Sequence, residues 1–379
     1  MHSFSVINAE VLSPEGAVRR PIHVADKLVS SVQGQHTFDL EGFIVLPGIV
    51  DLHGDGFERH LAPRRGVLKD LQQGFEATHN ELAANGITTA VLAQFYSWEG
   101  GMRSPSYAKQ FLQNLDLFVP KVDTTLLAQL RVETHMVDDY DEVAELCRYH
   151  KIPYVVFNDH VPHKSLAAGK KPPRLTGQAL KAGRSPADHF AYLKRLHAAS
   201  EMVQQQLPKL IQDIGVNVIL GSHDDPNAER RKEWHRLGVG LSEFPETIEA
   251  AAQAHHDGCA VVMGAPNLLR GGSHNDNISA LSLIEMGYCS SLASDYHYPS
   301  LRLAALKLAE KMCLGSAWAF ISEYPANILG LHDRGTLDTG KRADFLILDA
   351  DTHKLRGTFA GGKPTFMSGT LAERFMSSV

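Results

Sequence analysis

A closed α/β barrel of eight parallel strands, flanked by a small β-domain built from both chain ends, is the fold this 379-residue sequence predicts. Three observations predict it. From Phe43 to Asp295, short apolar runs alternate eight times with stretches of helical periodicity, as in strand–helix units wound into a barrel. Before Phe43 and after Leu331, apolar and polar side chains alternate between turns, the pattern of short antiparallel strands. Five of the apolar runs end in residues that bind divalent metal, and a parallel barrel gathers such strand ends into one ring.

At the N-terminus, Phe4, Val6 and Ile7 and then Ile22, Val24, Leu28, Val29 and Val32 lie between turns at Pro14-Glu15-Gly16 and Gln33-Gly34. The barrel strands are expected at 44–53, 87–94, 125–134, 153–159, 216–222, 239–243, 261–264 and 290–295. Amphipathic stretches at 69–85, 106–118, 139–150, 186–214, 246–257, 275–286 and 300–313 supply the helices. Strand character returns at Gly335-Thr336-Leu337, at 343–349 and at 355–367, with a turn at Gly361-Gly362-Lys363-Pro364. Residues 1–45 and 331–379 thus predict a composite β-sandwich, and 46–330 a TIM-like (β/α)8 barrel. An open, doubly wound sheet would place a glycine-rich phosphate loop after its first strand; His53-Gly54-Asp55 stands there instead. Residues 161–187 carry His163, Lys164, Lys170, Lys171, Arg174, Lys181 and Arg184, no acidic residue, and several glycines and prolines. They read as a long basic loop, either a lid or a surface excursion.

Composition narrows the function. A hydrophobic content of 44% and a charged content of 21% describe an ordinary soluble globular chain. No apolar run approaches the roughly 18 to 20 residues of a membrane span, and no signal peptide is evident at the N-terminus. A net charge of −6 argues against sequence-independent nucleic-acid binding. The scattered Cys147, Cys259, Cys289 and Cys313 read as free thiols of a reducing cytoplasm and exclude a cysteine-rich zinc module. Oligomeric state is left open. The 20 histidines exceed expectation, and some of them must serve a metal or catalysis.

His53 and Asp55, two apart at a strand end, point the same way, and an imidazole with a carboxylate suits zinc or a similar borderline metal. Manganese, iron, nickel and magnesium are the alternatives, with one or two ions bound. Glu133 ends a strand where a carboxylate bridging two metals would sit, and His135, two residues on, competes for a ligand or substrate role. His160 and His223 are the candidate neutral imidazoles of a second metal, with Asp159 and Asp224 placed to orient them. Asp295, at the last strand end, is placed to accept a proton from an activated water. Gly264 to His274 follows the seventh strand; its glycines let the backbone approach an anion, with Arg270, Gly271, Gly272, Ser273 and His274 as the candidate binding residues. Arg59, Arg64 and Arg65 form a second cationic group after the first strand. A locally basic mouth on an acidic chain fits a small anionic, phosphorylated substrate.

These segments resemble the amidohydrolase superfamily, and within it the PhnM-type enzymes of phosphonate utilisation, over nearly the whole chain. The resemblance is carried by Leu46 to Asp55 with Phe57-Glu58-Arg59 and Pro63-Arg64, by Gly86-Ile87-Thr88-Thr89, by Ser222-His223-Asp224-Asp225 and by Glu243-Phe244-Pro245. Gly264-Ala265-Pro266-Asn267 through Arg270-Gly271-Gly272-Ser273-His274, Ser294-Asp295-Tyr296, Asp333-Arg334-Gly335 and Gly340 to Asp344 complete it. It implies a barrel with a flanking β-sandwich and a one- or two-metal centre. It also implies hydrolysis of α-D-ribose 1-methylphosphonate 5-triphosphate to the 5-phosphate and pyrophosphate. A metal-activated water would attack, with Asp295 as base and Arg270 on the polyphosphate. The implied ligands are His53, Asp55, Glu133, His160, His223 and Asp295. Many relatives bridge their metals with a carboxylated lysine; no lysine ends an early strand here, so Glu133 is the expected bridge.

The pattern departs after His160. Relatives read Asp-His-x-Pro-Gly-Gln, whereas this chain reads Asp159-His160-Val161-Pro162-His163-Lys164, and Arg131-Val132-Glu133-Thr134-His135 is also atypical. The roles of His135 and His163 stay open on this reading. So does a second activity, hydrolysis of a C–N bond in a cyclic amide or N-acyl compound with Arg270 on a carboxylate. A non-catalytic barrel would predict missing ligands, and the set is complete.

Overall fold

The structure, a computed structural model, describes residues 3–13, 16–62, 70–271 and 278–377. Its central sheet has eight strands, here β1 (Ile49–Gly54), β2 (Ile87–Tyr96), β3 (Thr125–Glu133), β4 (Tyr154–Asn158), β5 (Ile219–His223), β6 (Leu241–Glu243), β7 (Ala260–Gly264) and β8 (Ser291–Ala293). They run in sequence order across the sheet. The sheet closes where Gly54 and Asp295 bridge in parallel: Asp295 N–H donates to the His53 carbonyl (2.9 Å), and Asp55 N–H to the Asp295 carbonyl (2.9 Å). The near-continuous burial of β1, β2 and β4 follows from sterics, since a strand inside a barrel wall is covered on both faces. The predicted (β/α)8 barrel is therefore present.

Two further sheets come from the chain ends. One is ordered Leu28–Ser30, Ile22–Ala25, Ser3–Ile7 and His36–Asp39; the other Lys363–Met367, Leu355–Ala360, Phe345–Asp349, Phe43–Pro47, Glu10–Ser13 and Gly16–Arg19. Their shared core is aromatic: Phe38 stacks on Phe375 at 3.9 Å and Phe345 on Phe359 at 4.5 Å, with Phe4 among them. By contacts the chain divides into two compact units. One comprises Met1–Leu92, Phe118–Leu127 and Val262–Val379; the other Ala93–Leu117 and Ala128–Val261.

Several segments differ from expectation. No strand forms at Gly335-Thr336-Leu337, which lies in the irregular connection before Phe345–Asp349. The single strand expected at 44–53 is two strands in different sheets, because Gly48 interrupts it: a Cβ there would lie 2.3 Å from Thr88 Oγ1. The helix expected at 186–214 breaks at Ala199 into Pro186–Ala198 and Ser200–Ile214. The basic segment 161–187 is no structureless loop. It holds the helices His163–Ala167 and Leu175–Lys181, anchored by buried Leu166, Leu175 and Ala179.

Candidate metal centre

In the first unit, β1 and β8 bring three predicted residues together. One ligand atom from each of His53, Asp55 and Asp295 lies within 4.8 Å of the others. Their positions are set by the main chain. The ladder bonds that close the barrel run through the peptide groups of all three residues. Asp295 itself adopts φ +56°, a left-handed conformation that Asp tolerates better than most residues. A register shift between Asp51 and Gly54 bulges β1 at its end, as bulges beside active sites do when they re-aim a side chain. Gly54 is required there, since a Cβ would lie 2.8 Å from Asp51 Oδ2 and Tyr298 Cε1 and 2.9 Å from Ser294 Oγ.

Beneath these residues Asp51 is fully buried and accepts from Ser294 N–H (2.9 Å) and Ser294 Oγ (2.5 Å). Burial raises its pKa above the ordinary carboxylate range, against the pull of those hydrogen bonds. Tyr298 is also buried, with its hydroxyl unpartnered, and burial together with the charges of Asp51 and Asp55 pushes its pKa far up. The predicted cationic residues meet at the residue after Asp295. Arg59 donates to the Tyr296 carbonyl (3.1 Å) and pairs with Glu81, while Arg270 donates to the Tyr296 hydroxyl. Gly271 caps the short helix Ala265–Arg270 at φ +81°. Arg64, Arg65, Gly272, Ser273 and His274 lie outside the described residues.

In the second unit the ligand candidates are held by side chains. Glu133 is fully buried; its Oε2 accepts from the Trp98 indole (3.1 Å) and from His160 N–H (3.1 Å), and its Oε1 lies 2.5 Å from His160 Nδ1. Burial pulls the His160 pKa down, but the hydrogen bond and charge of Glu133 outweigh it and carry the pKa above its usual 6.5. Asn158 stands beside Glu133 in the parallel register, buried, with both side-chain polar atoms unpartnered.

His223 lies opposite Glu243 across β5 and β6. Its Nε2 is 2.8 Å from an Arg131 nitrogen and its Nδ1 is 3.0 Å from Glu243 Oε2. A guanidinium only donates, so Nε2 presents a lone pair to a cation while Nδ1–H donates to the carboxylate. Burial holds the His223 pKa below 6.5, which keeps the ring neutral. A neutral imidazole with its far nitrogen tied to a carboxylate is the state a metal ligand requires.

Glu243, which the sequence does not single out as a ligand, joins His223 among the candidates of the second unit. It is fully buried and also accepts from Gln129 (2.7 Å) and Tyr154 (2.5 Å). The available signal was a carboxylate ending the sixth apolar run, as Glu133 ends the third. Asp224 lies 3.7 Å from His223 Nε2, whereas Asp159 turns instead to His163 and His135. The donor set fits a divalent borderline metal. Each unit offers imidazole nitrogens beside carboxylates, with the His223 ring held neutral, and each leaves a buried polar side chain unpartnered, Tyr298 in the first and Asn158 in the second.

Comparison with known proteins agrees. The sequence pattern of the amidohydrolase family matches residues 123–371. The chain is 28% identical over 359 residues to the α-D-ribose 1-methylphosphonate 5-triphosphate diphosphatase of Escherichia coli (strain K12), covering 90% of this chain and 91% of that protein. Among solved structures it resembles a β-aspartyl dipeptidase from Fervidobacterium islandicum AW-1 (TM-score 0.60, 14% identity, 97% of both chains). It also resembles an L-hydantoinase from Arthrobacter aurescens (TM-score 0.55, 16% identity, 98% and 97% of the two chains). At such identities the structural likeness speaks for the fold alone. The barrel, the imidazoles and carboxylates at its strand ends and the family match lead to one conclusion: this chain is a hydrolase that belongs to the amidohydrolase family.

Proposed function

We propose that this hydrolase cleaves α-D-ribose 1-methylphosphonate 5-triphosphate to the 5-phosphate and pyrophosphate. The observation that carries the reading is the 28% identity to the E. coli diphosphatase across 90% of the chain. The convergence of Arg59 and Arg270 on Tyr296, next to Asp295, supports it, because a polyphosphate needs cationic partners beside the reacting group.

In this reading His53, Asp55, Glu133, His160, His223 and Asp295 hold one or two divalent ions, zinc first. When bound, such a cation lowers the pKa of water to about 7 and offsets charge on the phosphates. Asp295 accepts the proton of the attacking water. Arg270 grips the polyphosphate from the end of its helix, and Arg59, tied to Glu81, fixes the Tyr296 backbone. Glu243 and Glu133 keep the imidazoles of His223 and His160 oriented. Residues 1–45 with 331–379 serve as the composite β-domain and 46–330 as the catalytic barrel. The four cysteines are free, and among the described residues no helix is long and apolar enough to cross a membrane; we place the enzyme in the cytoplasm.

The test is pyrophosphate release from the ribosyl triphosphate by metal-loaded protein, run beside a panel of cyclic amides and N-acyl compounds. Release of pyrophosphate with silent amides is expected. Turnover of amides alone would overturn the diphosphatase reading and favour C–N hydrolysis.

A further inference from the structure

The departure from the relatives' pattern after His160 has a structural counterpart. His135, from the loop after β3, Asp159, from the end of β4, and His163, from the first helix of the basic segment, each place one ligand atom within 4.8 Å of the others. His163 Nε2 is 3.1 and 3.2 Å from the two Asp159 oxygens, and His135 Nδ1 is 3.4 Å from Asp159 Oδ1. The rings of His135 and His163 are 4.7 Å apart. These side chains have partners of their own: Glu133 spends its oxygens on Trp98 and His160, whereas Asp159 faces His135 and His163.

The hydrogen bonds behind the rings fix which nitrogen faces inward. Ser200 Oγ donates to the His197 carbonyl (2.7 Å), so it accepts from His135 Nε2 at 3.3 Å. A neutral His135 then carries its proton on Nε2 and turns a bare Nδ1 toward Asp159. The other neighbour of Nδ1, Thr134 Oγ1 at 3.3 Å, donates to the Asn158 carbonyl (3.2 Å) and has no proton to give. A nitrogen lone pair therefore faces carboxylate and hydroxyl oxygens, an arrangement that a cation between them resolves. His163 is backed in the same way. Its Nδ1 lies 2.7 Å from His197 Nδ1, and a proton given to His197 there leaves Nε2 as a lone-pair donor toward Asp159. Each inward imidazole thus has its far nitrogen held by a protein group, as ligating histidines do.

We propose that His135, Asp159 and His163 form an auxiliary site for a borderline divalent cation such as Zn2+, separate from the hydrolytic ligands, which clamps the basic segment 161–187 to the ends of β3 and β4. Two imidazoles and one carboxylate are the ligands of a zinc site with a fourth position left for water, and this donor set disfavours Mg2+ and Ca2+. The clamp gives a residue of the basic segment a bond to the barrel wall that the segment's few buried apolar side chains do not provide.

The experiment uses full-length protein, stripped of metal, equilibrated with zinc chloride and dialysed. Elemental analysis is expected to find one equivalent of zinc more in the wild type than in His163→Gln and in His135→Gln, each with an unchanged far-UV circular dichroism spectrum. Tryptic cleavage at the lysines and arginines of 164–184 gives a second readout. At free zinc about 100 times Kd, cleavage through local opening should slow on the order of 100-fold in the wild type and not in either variant. His53→Gln, which removes a proposed hydrolytic ligand, should retain the zinc protection, so failure of the catalytic assignment and failure of this one are distinguishable. Equal zinc content in wild type and both variants would overturn the proposal and leave His135 and Asp159 as an ordinary protonated pair.

Discussion

The two sets of strand-end residues are held by different means. His53, Asp55 and Asp295 owe their places to peptide groups: the ladder that closes the barrel runs through them. His160 and His223 owe theirs to buried carboxylates, Glu133 and Glu243, each satisfied by several side-chain or peptide donors. A main-chain scaffold survives replacement of the side chains it carries. A side-chain scaffold does not, because removing one carboxylate leaves two or three buried donors facing nothing. The first set should therefore lose chemistry while keeping its architecture, and the second should lose architecture and metal together.

The largest effect expected is that of Asp295→Asn. Asn tolerates the left-handed φ of +56°, and the backbone bonds to His53 and Asp55 remain. Loss of the proton acceptor should lower kcat by on the order of 10²–10⁴-fold with metal content largely intact. Steady-state kinetics with elemental analysis check this, and retained activity would refute Asp295 as the base.

Next is Glu243→Gln. An amide N–H would then point at a ring of donors from Gln129, Tyr154 and His223. Metal affinity should fall by about 10- to 100-fold, as for other groups that orient a ligand. Stability should fall by about 1–3 kcal/mol for the unsatisfied buried group. Metal titration and urea melts measure the two. A variant that loses activity yet keeps full affinity would place Glu243 outside the metal's support.

The same contrast explains what the sequence could and could not show. The candidate ligands His53, Asp55, Glu133, His160, His223 and Asp295 could be picked out because each follows an apolar run, and strand-end position is written in linear order. Glu243 was less visible, since its strand spans only three residues and no imidazole marks it. The helix Ala228–Arg236 was hidden for another reason. Apart from Ala228 and Trp234 it is entirely polar or charged, so no apolar stripe announces it. It is held by Trp234 stacked on Phe157 at 5.4 Å and by buried Arg231, which donates to Ser222 Oγ (2.7 Å) and the Leu241 carbonyl (3.2 Å). The break at Gly48 was equally silent, because Leu46 to Leu52 reads as one buried run and only packing against Thr88 shows the chain changing sheets.

Proton competition sharpens the comparison within the second set. The His160 pKa is raised above 6.5, so in metal-free protein the stability it contributes with Glu133 is full below 6.5 and is lost as pH rises through the folded value. The His223 pKa is lowered by burial, so its contribution is full above 6.5 and is lost as pH falls from there toward the folded value. Urea melts of metal-free protein from mildly acid to mildly alkaline pH should show both flanks. His160→Gln should remove the alkaline one and leave the acid one. Metal uptake runs opposite to the His160 term: it should weaken as pH falls through that residue's folded pKa, because only the neutral ring binds.

The smallest effect expected is that of Trp98→Phe, and it bears on what Glu133 does. The change removes the indole donor to Glu133 Oε2 but leaves the peptide and ring bonds from His160, and the remaining ring fills most of the same buried space. If Glu133 acts chiefly by orienting His160, those two bonds suffice. Stability should then drop by about 1–2 kcal/mol while metal affinity changes less than in Glu243→Gln. If Glu133 binds the metal directly, the indole is what keeps the carboxylate from swinging, and affinity should fall as far as it does in Glu243→Gln. Metal titration of the two variants side by side decides between a ligand and its support.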